Sequence, residues 1–361
     1  NAKNGALNED GAFFNTSAIY AAGTAGSGNN ADAAAVVNIN GDVDLAVDGS
    51  GVIANMDGAI VNIKGGGTIK INDKPADFEG AAVHYALAAM SGTINMNVTN
   101  DTSKMVVLYG NVGVLDRADN DAESCKHSEV NLQLNTADSM WQGVAVEAIS
   151  EMNRADGYTG AINLGLSNGA TWYNQVYGNA YDEFEGSRVA SLAGGADKAS
   201  AGNIYQNDDS NDLTIGYYSG YTNIFYAASK GEDGKVGFAA GDTIIETAAG
   251  GSHINMITSG EFVNIEDKEQ VVQVLNALAG KLFYDENAGS AEQAIALFAA
   301  EANGGSLTAT ASIAAGLTSS SASLAFGDIS FQANKDGQGT VGGLEDITIP
   351  GSGSDKPGGD N

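Results

Sequence analysis

The residues able to do acid–base, nucleophilic or metal chemistry are few in this chain, and their spacing does not favour it. There are three histidines, His84, His127 and His253. None stands in an HExxH-type spacing, which would set two imidazoles on one helical face around zinc. A single cysteine, Cys125, excludes an intramolecular disulfide and a Cys-based zinc cluster. It lies in "CKH" with His127, but a thiol–imidazole pair is assembled from distant segments, so this reads as an ordinary loop. No Gly-x-Ser-x-Gly elbow appears at a strand-to-helix turn, the setting that a serine nucleophile needs.

Carboxylates are the other route to chemistry. Glycoside cleavage needs two of them at a set separation. Among 45 Asp and Glu, pairs arise by chance, and the densest loops are "DRADNDAES" (116–124) and "YDEFEG" (181–186). The only arginines are Arg117, Arg154 and Arg188, too few to hold an acidic polysaccharide. Asp116, Asp119, Asp121 and Glu123 are candidate calcium ligands, because calcium takes several hard oxygens. Their spacing lacks the EF-hand glycine, and no Gly-rich calcium-binding nonapeptide occurs, so the plainer reading is a solvated acidic loop.

Aromatics offer more. "ATWYNQVYGNAYDEF" holds Trp172, Tyr173, Tyr177, Tyr181 and Phe184, and "IGYYSGYTNIFY" holds Tyr217, Tyr218, Tyr221, Phe225 and Tyr226. In alternating strands some of these must point outward, where Tyr and Trp beside Asn suit a glycan or a protein contact. The candidate ligand-binding set is Trp172, Tyr173, Tyr177, Tyr181, Tyr217, Tyr218 and Tyr221. The competing reading stacks them inside the fold.

The elements that would position these residues announce themselves as a repeat. An apolar residue, Asn and a second apolar residue recur in Val37–Ile39, Val61–Ile63, Ile94–Met96, Val130–Leu132, Ile162–Leu164 and Ile254–Met256. Leu213–Ile215 has Thr in place of Asn. Strand neighbours point to opposite sides, so each unit has one dry side and Asn on the wet side. The unequal gaps argue against a rigid short-repeat solenoid and for coils carrying insertions of different length. Stacked parallel coils would align the Asn residues in an external ladder. Strands such as "GDVDLAV" and "GGTIKIN", with turns such as "SNG" and "DGSG", fill the intervals. Insertions at 116–128 and 178–212 are expected as outside loops. A sandwich or propeller would not keep one strand signature across such unequal gaps.

Residues 267–284 break the pattern, with Val271, Leu275, Leu278 and Leu282 at helical spacing, Asp267 as N-cap and Gln270 three residues on. Residues 290–302 read as a second helix, completing a helical hairpin near 267–302. Strands then resume in "LTATASIAAGL" and "GDISF".

Composition bounds the rest. With 16 Lys and Arg against 45 Asp and Glu, the net charge is −29, which opposes nucleic acid and anionic lipid surfaces. Gly is abundant at 49 and Pro scarce at 3, as suits many tight turns. No apolar run is long enough for a membrane helix. The opening "NAKNGALNED" has no signal-peptide pattern, so a mature or excised piece is expected, and "PGSGSDKPGGDN" is expected to be a linker or tail.

"INLGLSNGATWYN", "YSGYTNIFYAAS", "GDTIIETAAGGSHINMITSG", "FVNIEDKEQVVQVLNALAGKLFY" and "TASIAAGLTSSSASLAFGDISFQ" resemble the rungs and late segments of autotransporter passenger domains, of the kind found on anaerobic diderm bacteria. The resemblance runs over roughly 36 to 345. It implies a right-handed parallel β-helix secreted through a C-terminal outer-membrane barrel, outside this sequence. Passengers include adhesins, proteases and esterases. The protease type carries a Gly-Asp-Ser-Gly stretch in a separate N-terminal domain, and no such stretch occurs here.

The expectation is therefore an all-β, single-stranded right-handed parallel β-helix with irregular loops and a helical insertion. Residues 1–35 are expected as cap or lead-in, 36–345 as the helix and 346–361 as a flexible tail. The expected role is a non-enzymatic, extracellular adhesin or self-association stalk tethered to the outer membrane. It would use no cofactor, and its partner would be a host or bacterial surface protein, a glycan or a second copy. The alternatives are a glycan-active enzyme and a surface-layer or filament subunit.

Overall fold

The computed structural model describes residues 17–23, 35–72, 85–115, 126–178, 184–207, 209–264, 267–283, 307–314, 323–325, 331–333 and 339–341. They form two large sheets, one of 12 strands and one of 10, with successive stretches of chain passing between them. Nearly every pairing is parallel and joins a strand to its counterpart one circuit later. The molecule is all-β and compatible with a parallel solenoid.

One circuit of the N-terminal half has three walls. The first wall holds Ser17–Ala22, residues 50–55, residues 85–90, Asn111–Leu115 and Ala145–Ala148. The second holds Val36–Ile39, residues 59–63, residues 92–96, His127–Leu134, Thr159–Leu166, Gly186–Ala193, Asp212–Ser219, Thr243–Ala248 and Leu282–Phe283. First and second walls share the 12-stranded sheet because Ser50–Ile63 and Tyr85–Met96 bend midway. Left-handed residues Met56 (φ 70°), Gly58 (φ 74°) and Ser91 (φ 53°) make the bends.

The third wall is the 10-stranded sheet, from Val43–Val47 through Gly67–Ile71, Val106–Tyr109, Met140–Gly143, Thr171–Asn174, Gly202–Gln206, Tyr221–Tyr226 and His253–Ser259 to Thr308–Ala314. Ser323–Ala325 adds an antiparallel strand to its last edge. Pairing already begins at Ser17–Ala22, inside the expected lead-in.

Alternation decides which side chains go inside. Ile63, Met96, Leu132, Leu164, Leu192 and Tyr218 line the second wall's interior, all 0–1% exposed. Ile69, Leu108, Trp141, Trp172, Ile204, Ile224 and Met256 form the matching column of the third wall, all fully buried. Each such aliphatic burial stabilises by about 1.5–3 kcal/mol.

The Asn ladder is present. Asn62 donates to Asn38, Asn95 to Asn62, Asn131 to Asn95 and Asn163 to Asn131, each at 2.9 Å, and Ser191 donates to Asn163 at 2.7 Å. Two assignments change. Ile254–Met256 belongs to the third wall, with Asn255 on a second ladder. Thr214 is not a rung of either ladder, since Tyr217 is the residue in register with Ser191.

Among the described residues the last strand of the first wall is Ala145–Ala148. Helix α1, Glu151–Ala155, capped by Ser150, follows it directly. Helix α2, Lys268–Ala279, lies in the chain between third and second walls and adds Val271, Val274, Leu275 and Leu278 to the core. Asp267 caps it by accepting from the amides of Glu269 and Gln270. Gln270 reaches back to the Asn264 amide at 2.6 Å instead of closing a capping box. The helix ends at Gly280, and Leu282, expected on it, lies in a strand of the second wall. The segment expected as a loop over 178–212 holds two strands, Gly186–Ala193 and Gly202–Gln206. The second helix expected over 290–302 and the tail from 346 fall outside the described residues.

Candidate functional site

The outer surface of the third wall brings together the aromatic and Asn residues that suit recognition. Its outward positions run in columns parallel to the stacking direction. One column reads Thr171, Asn203, Asn223, Asn255 and Thr310. Asn223 donates to Asn203 at 3.0 Å, Asn255 to Asn223 at 3.1 Å, and Thr310 to Asn255 at 2.8 Å. Two residues along lies a column of Tyr109, Gln142, Tyr173, Tyr205 and Phe225. On the other side Tyr221 stacks on His253 at 5.4 Å, and His253 Nε2 lies 3.1 Å from the Thr310 hydroxyl.

Stacking dictates what these rings can offer. Tyr173 and Tyr205 are 5.0 Å apart at 25°, and Tyr205 and Phe225 are 4.5 Å apart at 8°. In-register strands about 4.8 Å apart force such contact between like rings. Both faces of Tyr205 are therefore occupied by neighbours, and the ladder presents ring edges and hydroxyls outward. Burial, then the adjacent Tyr173, raise the Tyr205 pKa above its ordinary 10.0.

From Val107 to Ile257 no outward position of this wall carries a formal charge. The positions are Val107, Tyr109, Met140, Gln142, Thr171, Tyr173, Asn203, Tyr205, Tyr221, Asn223, Phe225, His253, Asn255 and Ile257. Charges appear only on the first two strands, at Asp44 and Lys70. The second wall, by contrast, bears Glu129, Arg188, Asp212 and Glu246.

The candidate ligand-binding residues separate. Tyr173 and Tyr221 are on this surface. Trp172 is not: it is fully buried, stacked on Trp141 at 4.5 Å and 3°. Its indole N–H donates to Gly143 O, and that of Trp141 to Gly110 O, both at 2.9 Å. A side chain at Gly143 would collide with Gly110 O and with the Trp141 indole nitrogen. Glycine thus lets each indole reach the carbonyl of the preceding coil. Tyr218 is likewise interior, with its hydroxyl donating to His253 O at 2.6 Å, and burial drives its pKa up strongly. Tyr217 is 48% exposed, but on the second wall. Tyr177 lies at the corner between third and first walls, its side chain against Ile71 and Tyr109 and its backbone bonded to Asn111. Tyr181 and the candidate calcium ligands Asp116, Asp119, Asp121 and Glu123 lie outside the described residues.

Tyr109, Tyr205, Asn203 and Asn223 share this surface and were not among the candidates. The signal for three of them was local: "GNIYQ" and "YTNIFY" share the alternation of Asn, an inward Ile and an outward ring. Tyr109 follows from register alone.

The best-placed carboxylates are paired. Arg188 makes a two-pronged contact with Glu246 at 2.7 and 3.1 Å and a third bond to Glu147 at 3.0 Å. Arg154 holds the other oxygen of Glu147 at 2.5 Å. Both acids spend their oxygens on arginine, which suits a structural tie. The displaced carboxylate pKa values, of Asp42, Asp101, Asp197 and Asp233, are all lowered, first by hydrogen bonds. Among the described residues no cluster of three His, Cys, Asp or Glu could hold a metal ion. Nor, among them, is any helix long and apolar enough to cross a membrane. No family model, no curated protein and no solved structure matches the chain.

Proposed function

We propose that the chain is a non-enzymatic stalk of a secreted or surface-tethered bacterial passenger, a right-handed parallel β-helix that engages its partner through the outer third wall. The observation that carries this is the uncharged strip from Val107 to Ile257 in a chain of net charge −29. Burying an unpaired charge is costly, and the centres of protein interfaces are depleted of charge and enriched in Tyr. A surface kept clear of 45 acidic side chains fits contact. The right hand follows the general preference of parallel crossover connections. Export through a C-terminal barrel rests on the family resemblance of the rungs.

The partner surface is itself neutral: a protein patch, a neutral glycan or a second copy. Because the ring faces are taken, recognition runs through Asn amides, Tyr hydroxyls and ring edges. The test compares the wild-type chain with a Thr171→Glu/Asn223→Asp variant for binding to epithelial cells and to neutral glycans. Saturable wild-type binding, weakened tenfold or more in a variant with unchanged circular dichroism, is the expected result. Equal binding by both proteins would remove the third wall from the reading. Soluble sugar released from a polysaccharide would replace the stalk with an enzyme.

A further inference from the structure

Coils of a solenoid touch only their neighbours, so such folds open coil by coil from their ends. Tyr177 breaks that rule. It follows Thr171–Asn174, yet its hydroxyl donates to Ile71 O at 2.9 Å, across 106 residues of sequence. In register, Tyr173 faces Gln142, Gln142 faces Tyr109 and Tyr109 faces Lys70. The contact therefore spans three rungs, about 14 Å at the ordinary strand spacing. The coil between is gripped too. Asn111 accepts from the Tyr177 amide and donates to the Tyr177 carbonyl, both at 3.1 Å, so one side-chain amide holds both backbone groups of a single residue. The Tyr177 ring lies 6.4 Å from that of Tyr109.

The surface beneath explains why a strap is there. The outside of the first wall is apolar. Ile53, Tyr85, Ala88, Val144 and Val146 form a second buried cluster, separate from the interior core, with Val176 and Phe184 packed on it. The Tyr85 ring lies where a side chain at Gly113 would stand. Left bare, this wall would be an apolar patch beside unpaired sheet edges.

We infer that residues 175–178, with Phe184, act as a cross-coil lock that couples the coils from Gly67 to Leu115 to the coil of Thr171–Ala193. While Tyr177 is seated, the coils from Gly67 to Leu115 do not open independently, and the outside of the first wall stays sealed. When it lets go, fraying from the N-terminal end runs on into them, and of the coupled residues those of Gly67–Ile71 and 85–90 are released first.

Hydrogen exchange on the full chain tests this, using Tyr177→Phe, which removes only the hydroxyl, and Tyr177→Ala. A lost hydrogen bond to the lock should speed exchange in Gly67–Ile71 and residues 85–90 about fivefold in the Phe variant. The Ala variant should show more, with Thr243–Ala248 and His253–Ser259 unchanged in both. A Tyr205→Phe control should leave all these segments unchanged. Acceleration confined to residues 171–178, or equal acceleration along the whole chain, would overturn the lock. The Phe variant keeps the ring packing, so the test holds even if the Ala variant fails to fold.

Discussion

At Trp172 the indole N–H already has its carbonyl, and the ring is held between Trp141 and Ile204 in the interior column. One residue along, Tyr173 stacks outward on Tyr205 with its hydroxyl free to face solvent or a partner. Adjacent residues thus have opposite uses, because a strand turns successive side chains to opposite sides. Trp172→Ala should cost about 3–5 kcal/mol, as for other buried aromatic truncations. Tyr173→Ala should cost about 1 kcal/mol, mostly one lost ring contact. Urea midpoints at constant slope read this difference. Equal losses would mean that Trp172 is not the interior residue described here.

At the level of the element, the ladders turn a sequence habit into an energetic one. Asn131 donates to Asn95 and accepts from Asn163, whereas Asn38 at the ladder's end makes one such bond. With each bond contributing about 1 kcal/mol or less at a half-exposed site, Asn131→Ala should destabilise about twice as much as Asn38→Ala. If both cost the same, the ladder is only a row of solvated side chains. The rungs were readable because Asn between two apolar residues repeats at Asn38, Asn62, Asn95, Asn131 and Asn163. What was not readable is register. Thr214 imitates a rung and sits off the ladder, and Asn255 carries the same triplet on a different wall. Triplet chemistry marks a strand but not its wall, since that depends on how many residues each corner consumes. The helix over Lys268–Ala279 was legible from its 3.6-residue period and Asp267 cap. Its true end at Gly280 was masked by Leu282, an apolar residue in phase with the helix that the second wall claims instead. The placement of the candidate residues was half legible: Tyr173 and Tyr221 lie on the outer third wall, while Trp172 and Tyr218 face the interior. Composition alone does not say which way a strand faces.

Over the whole molecule, the net charge of −29 sets acidic side chains against one another. Against 45 acidic side chains stand 16 basic ones. The pairs of Lys104 with Asp42 and of Lys235 with Asp233 are largely exposed and contribute little each, whereas Glu147 and Glu246, paired with Arg188, are better shielded. Like charges stacked along a rod repel at short range, and salt shortens that reach from about 30 Å at 0.01 M to about 8 Å at 0.15 M. The thermal midpoint should therefore rise by a few degrees over that range in NaCl, and by the same amount in KCl, because screening depends on ionic strength rather than on the ion. Calcium separates a general effect from a particular one. At matched ionic strength, CaCl2 should add little if the acidic residues between 116 and 123 are a solvated loop. A midpoint several degrees above that in NaCl, saturating with calcium, would instead mean that those carboxylates take the ion as a bound ligand. A midpoint indifferent to all three salts would show that self-repulsion is not what limits the rod, and would leave coil-to-coil packing as the controlling term.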